Sequence, residues 1–113
     1  MARSEAEGIV GRGRVGAVHY FIYRLDKAGT ETLRKDTRPA HLEYAATLGD
    51  QLVFAGPTLE DDEETMNGSV WVVEASSKAE AEAITEAHPY EQVDLFQSKT
   101  VQPLLKVIPK DAI

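Results

Sequence analysis

The feature that most constrains this chain is residues 17–25, AVHYFIYRL, a run of β-branched, aromatic and aliphatic residues with few polar breaks. Its nearly continuous apolar character is that of a central strand covered on both faces. The rest of the chain has to supply that strand with neighbours in a sheet and with a layer to pack against.

Three further stretches have strand character. QLVFAGPTL, residues 51–59, is predicted to end near Gly56-Pro57, because proline cannot donate to a ladder. SVWVVEA, residues 69–75, sets Val70 and Val72 on one face and Trp71 and Val73 on the other. The polar, acidic EDDEETMNG joins these two as a long-looped hairpin. QSKTVQPLLKVI, residues 97–108, is the last strand, and Pro103 confines it to an edge or a bulge.

Two helices complete the pattern. The stretch TETLRKDTRPAHLEYAATLG has helical composition, but Pro39 is best tolerated in a first turn, so the helix is predicted from about Pro39 to Leu48. Gly49 follows as a left-handed cap, and His41, Ala45 and Leu48 share one stripe. Ser77 and Glu80 form a capping box ahead of KAEAEAITEA, in which Ala83, Ile84 and Ala87 have helical spacing. HPYEQVDLF reads as a connection or a short helical turn.

The order β, α, β, β, α, β is that of an α+β, ferredoxin-like fold, with two helices on one face of a four-stranded antiparallel sheet. The other face then lacks a cover, and a homodimer joined through the sheet faces would bury both at once. The domain is expected over residues 17–108, between a flexible N-terminal extension, residues 1–16, and a C-terminal tail, residues 109–113.

Charge narrows the function classes. Twelve Lys and Arg against nineteen Asp and Glu leave a formal charge of −7, which repels a phosphate backbone and argues against nucleic acid. No cysteine is present, which excludes a thiol nucleophile and fits a reducing, cytoplasmic compartment. The opening MARSEAEGIVGRGRVG holds no signal-like apolar core, and no later run reaches a membrane span. GRGRVG satisfies G-x-G-x-x-G but precedes a strand instead of linking a strand to a helix, so no nucleotide is predicted. The run Asp61 to Glu64 lacks calcium-loop spacing and reads as a solvated loop, and Asn67-Gly68-Ser69 as a tight turn.

Among the histidines, His19 lies within the first strand, where an imidazole more often packs than reacts. His41, in a first helical turn beside Arg38 and Tyr44, can titrate near neutrality and meet a ligand, or serve as a satisfied structural residue.

The segments RPAHLEYAATLG, FAGPTL, NGSVWVVEA and HPYEQVDLF, in that order and spacing, resemble the YciI-like (YCII-related) family over residues 17 to about 108. The resemblance implies a ferredoxin-like protomer of the dimeric α+β barrel superfamily, with a cleft in each subunit lined by His41. In that family the histidine is typically paired with the aspartate of a D-P-Y or D-P-F turn, a position held here by His88. Three arrangements would make up for the missing carboxylate. Asp94 or Glu91 supplies one, which is the expectation, or the two histidines share a proton, or they bind a metal with a further ligand. A catalytic zinc needs three protein ligands, and no third is evident, so neither metal nor cofactor is expected. Ser69, Tyr90, Gly56 and Pro57 match the family's motifs as substrate-binding positions, with Ser69 and Tyr90 equally readable as structural turn residues, and Arg38 either holds an anionic small molecule or solvates the helix start. The implied activity is that of a lyase or isomerase acting on small molecules, with His41 as general acid or base. The alternative is a non-catalytic homodimeric metabolite-binding protein with a degenerate site.

Overall fold

The computed structural model describes residues 18–108. The expected extension and tail, with the GRGRVG motif, lie outside the described residues. Strand β1 (Val18–Asp26) is followed by helix α1 (Glu31–Leu48), strands β2 (Leu52–Leu59) and β3 (Met66–Ala75), helix α2 (Lys78–Glu86), the short helix α3 (Pro89–Gln92) and strand β4 (Phe96–Leu104). The sheet runs β2-β3-β1-β4, with every neighbouring pair antiparallel. The α+β class, the ferredoxin-like order and the central place of β1 agree with the sequence reading.

Alternation along the strands sorts the two faces. Tyr20 and Ile22 of β1 and Trp71, Val73 and Ala75 of β3 form the core with Ala81 and Ile84 of α2, and Tyr44, Ala45 and Leu48 of α1 pack against it. Phe21, Tyr23, Val70 and Val72 point the other way. Phe21 pairs with Val72 and Tyr23 with Val70, while Phe54, paired with Val72, is 52% exposed. No described helix covers this second face.

Boundaries moved where tertiary contacts outweighed local preference. Helix α1 starts at Glu31, eight residues before the predicted start, and carries Pro39 in its interior. An interior proline costs roughly 3 kcal/mol. Here the carbonyl it leaves unbonded, that of Lys35, lies on the exposed side of the helix. The early turns are held to the sheet by Arg34, whose guanidinium grips Asp26 through Nε at 2.7 Å and Nη2 at 3.0 Å and also donates to the Gly68 carbonyl at 3.0 Å. Strand β2 continues through Gly56-Pro57 to Leu59, which an edge strand permits. Strand β3 begins at Met66, three residues early, and β4 stops at Leu104, soon after Pro103.

In α2 the buried stripe is Ala81, Ile84 and Thr85, whereas the expected Ala83 and Ala87 are exposed. The cap is also shifted by one partner. Ser77 Oγ accepts from the Glu80 amide at 3.1 Å, but the Glu80 carboxylate accepts from the amide and hydroxyl of Ser76. Gly68 is needed for close approach, since a Cβ there would lie 2.4 Å from the Arg24 carbonyl oxygen and 2.6 Å from Thr58 Oγ1.

Candidate functional site

The loop after α2 is built around a histidine cap. Pro89 stands at the first helical position of α3, and its lack of an N–H costs nothing there. His88 is the N-cap, and its Nδ1 accepts from the Tyr90 amide at 3.0 Å, the role an Asn or Asp oxygen usually fills. This cap turns the ring inward, fully buried, with its edge against Trp71 at 4.6 Å between centroids.

From α1, His41 reaches the same place. Its Nδ1 lies 2.8 Å from His88 Nε2, and its ring stacks on Tyr90 at 4.6 Å with an interplanar angle of 11°. Tyr44, one turn further on, donates to the Ile84 carbonyl at 2.7 Å and so fixes α1 against α2. His41 remains partly exposed, and its Nε2 has no hydrogen-bond partner among the described residues.

Burial and positive charge both oppose protonation of this pair. Desolvation first, then Arg24 and the neighbouring His41, push His88 down to about 2. Desolvation, then Arg34, Arg24 and Arg38, push His41 down to about 4. Both rings are therefore neutral at pH 7. Burial raises the Tyr44 and Tyr90 phenols.

Beneath the histidines lies a second, charged layer. Arg24 points to the helix side of β1, fully buried, its guanidinium over the Trp71 ring at 5.2 Å and the Phe96 ring at 4.9 Å. Its Nη1 donates to Thr85 Oγ1 at 2.7 Å and meets Glu91 Oε2 at 3.3 Å. Thr85 and Glu91 are hydrogen-bonded to each other, and Lys99 reaches Glu91 from β4 at 3.2 Å. Arg24 Nε and Nη2 and the hydroxyl of Ser69, its partner across the β1–β3 ladder, are buried without hydrogen-bond partners among the described residues. Burial lowers the Arg24 pKa, against the opposing pull of Glu91.

The structure thus brings His41, His88 and Tyr90 into direct contact, with Arg38 three residues before His41 on α1. Asp94, the expected carboxylate, stands apart. It has a positive φ of 60°, its side chain is 84% exposed, and it pairs with Lys27. Glu91 faces Arg24 and Lys99, so neither carboxylate hydrogen-bonds to a histidine. Asp94 and Glu91 instead line a surface depression of about 250 Å³ with Phe96, Gln97, Ser98 and Lys99. Gly56 lies on the open sheet face beside Phe54, and Pro57 is exposed opposite Ser69. Among the described residues no group of three or more His, Cys, Asp or Glu is placed to hold a metal.

Arg24, Arg34, Trp71 and Thr85 were not foreseen as parts of the site. Arg24 carried a signal, because it falls in phase with Tyr20 and Ile22 on the core face of β1. Arg34 lies seven residues before His41 on the same helical face and was hidden by starting the helix at Pro39.

Residues 18–105 match the YCII-related domain. The chain belongs to the YCII-related family. It is 34% identical over 95 residues to Protein YciI of Escherichia coli O6:H1 and, equally, to that of Shigella flexneri, covering 78% of this chain and 97% of either relative. Among solved structures it is similar to the 5-chloro-2-hydroxyhydroquinone dehydrochlorinase of Burkholderia phenoliruptrix AC1100 in complex with 2,5-dihydroxybenzoquinone. That likeness has a TM-score of 0.72 and 31% identity, over 79% of this chain and 95% of that one. The YCII-related fold of the present chain is thus shared with an enzyme that removes chloride from a small ring compound.

Proposed function

We propose that this YCII-related protein is a small-molecule enzyme of lyase or isomerase type, in which His41 acts on the ligand as general acid or base. The observation that carries the reading is the His41–His88 hydrogen bond at 2.8 Å, which holds one imidazole by Nδ1 and leaves its Nε2 end unoccupied on a partly exposed surface. A group so held is oriented for proton exchange with a bound molecule. The structurally similar dehydrochlorinase supports a ring compound bearing oxygens as the ligand class. Arg38, exposed and without an ion pair to any described residue, favours an anionic form. Positioned acid–base groups contribute about 10² to 10⁴ in rate, so His41→Gln should lower chloride release from 5-chloro-2-hydroxyhydroquinone by that factor. Turnover unchanged in the variant would refute the role of His41.

The second reading, a metabolite-binding protein without turnover, is favoured by the lack of a carboxylate at either histidine. Saturable binding of 2,5-dihydroxybenzoquinone at His41 with no chemical change would establish it. In both readings a second copy covers the apolar sheet face of Phe21, Tyr23, Phe54, Val70 and Val72. Sedimentation should give a dimer that Phe54→Lys, at the exposed Phe54, converts to monomer, and a monomeric wild type would exclude that arrangement.

A further inference from the structure

Hydrogen-bond partners decide where the protons of the two histidines reside. The Tyr90 amide donates to His88 Nδ1, so that nitrogen carries no hydrogen. A neutral His88 must then be protonated at Nε2, and Nε2 faces His41 Nδ1 at 2.8 Å. His41 Nδ1 is in turn the acceptor, which leaves its own single proton on Nε2, the end with no partner among the described residues. The backbone amide of α3 thus propagates one polarity through two rings. Reversing it would set two N–H groups against each other, or an N–H of His88 against the Tyr90 amide.

We propose that His88 is a positioning residue that fixes His41 as an Nε2–H donor, so that the exposed end of His41 takes an oxygen acceptor, a carboxylate, phenolate or enolate-like oxygen, and not an acidic proton. This rests on the reading of His41 as the group that meets the ligand, and narrows its part to hydrogen-bond donation in place of proton transfer. The charges around His41 agree. Arg34 is matched by Asp26, Arg24 by Glu91, and Arg38 is left as a net positive charge. The groups nearest the rings are Tyr44, Trp71 and Tyr90, none of which is a carboxylate. A neutral imidazole that donates to a ligand oxygen is an established way to polarise a carbonyl. Its proton need not leave for the developing negative charge to be stabilised.

The test is imidazole ¹⁵N NMR of the intact protein at neutral pH, first without ligand and then with two isosteric probes, benzoate, which only accepts, and benzamidine, which only donates. Both histidines should be protonated at Nε2 and bare at Nδ1. Benzoate should move the His41 Nε2–H resonance and bind at least about tenfold tighter than benzamidine, since one charge-assisted hydrogen bond is worth that much. In His88→Asn, which keeps an N-cap oxygen for the Tyr90 amide but removes the ring that donates to His41 Nδ1, the fixed Nε2–H form and the preference for benzoate should both be lost in part. A wild-type His41 protonated at Nδ1, or benzamidine binding as tightly as benzoate, overturns the proposal. The nitrogen assignment needs no ligand, so its failure is distinct from failure of the ligand-site reading, which would show as neither probe moving any His41 resonance and would remove the proposed ligand class with it.

Discussion

Two imidazoles held neutral should make the fold sensitive to mild acid. An unfolded histidine has a pKa near 6.5, whereas His41 titrates at about 4 and His88 at about 2 in the folded chain. Below pH 6.5 the unfolded chain takes up protons that the folded chain refuses, so stability falls as pH falls. The loss from His41 ends near its folded value, and that from His88 continues below it. Going from about pH 7 to about pH 5, one fully excluded proton costs roughly 2 kcal/mol, set by the unfolded pKa and not by how far the folded one is depressed. His88, fully buried, should contribute all of this. His41 is partly exposed, and screening reduces its share to about 1 kcal/mol, for a total of roughly 3 kcal/mol. Urea unfolding followed by fluorescence of Trp71, the single tryptophan and 1% exposed, measures this directly. Protein concentration must be held fixed, because assembly would shift the midpoint. The decisive comparison is His88→Asn, which keeps an N-cap oxygen for the Tyr90 amide and removes the titrating ring. Its overall stability falls at every pH from lost packing, but its decline from pH 7 to pH 5 should be smaller than that of the wild type by about 2 kcal/mol. Equal declines in the two proteins would refute the account of His88 as a buried neutral base.

The charged layer makes a contrasting prediction. Glu91→Ala strips the partner from the buried Arg24 and should cost about 3 kcal/mol in chemical denaturation, whereas Arg24→Met leaves Glu91 beside Lys99 and should cost less than half of that. Equal losses would mean that packing, not the unpaired charge, sets the penalty. Gly68→Ala forces a Cβ against the backbone of β1 and should cost about 3 kcal/mol, with a lower yield of folded protein. Normal stability in that variant would show that β1 and β3 can separate locally.

The element order, the central strand and the face of α1 that packs inward were legible because each rests on local periodicity. AVHYFIYRL reads as a central strand and is one, although only its Tyr20 and Ile22 face is covered by helices within the described residues, and Ala45 and Leu48 do pack against the core. Pro39 misled the helix start, since the residues that overrule it, Asp26 and the Gly68 carbonyl, are distant in sequence and meet Arg34 only after folding. The site was half legible. Motif order pointed to positions 41 and 88, and spacing alone could not show that the two rings would touch. Asp94 lies close to His88 along the chain, and that closeness does not carry into the fold. Its backbone geometry turns it to solvent, and the charge near the site is supplied by arginines from β1 and α1.

The two prolines on the outer strands bear on how copies of this chain can meet. Pro57 lies in β2 and Pro103 in β4, the two edges of the sheet, where proline is one of the devices that blunt a strand as a template for another. Growth by adding strands side by side, the route to fibrils and domain-swapped ribbons, is hindered at both ends. The open face presents Phe21, Tyr23, Val70 and Phe54 instead, so this sheet is poorly suited to being lengthened and keeps its exposed apolar surface on a face and not at an edge.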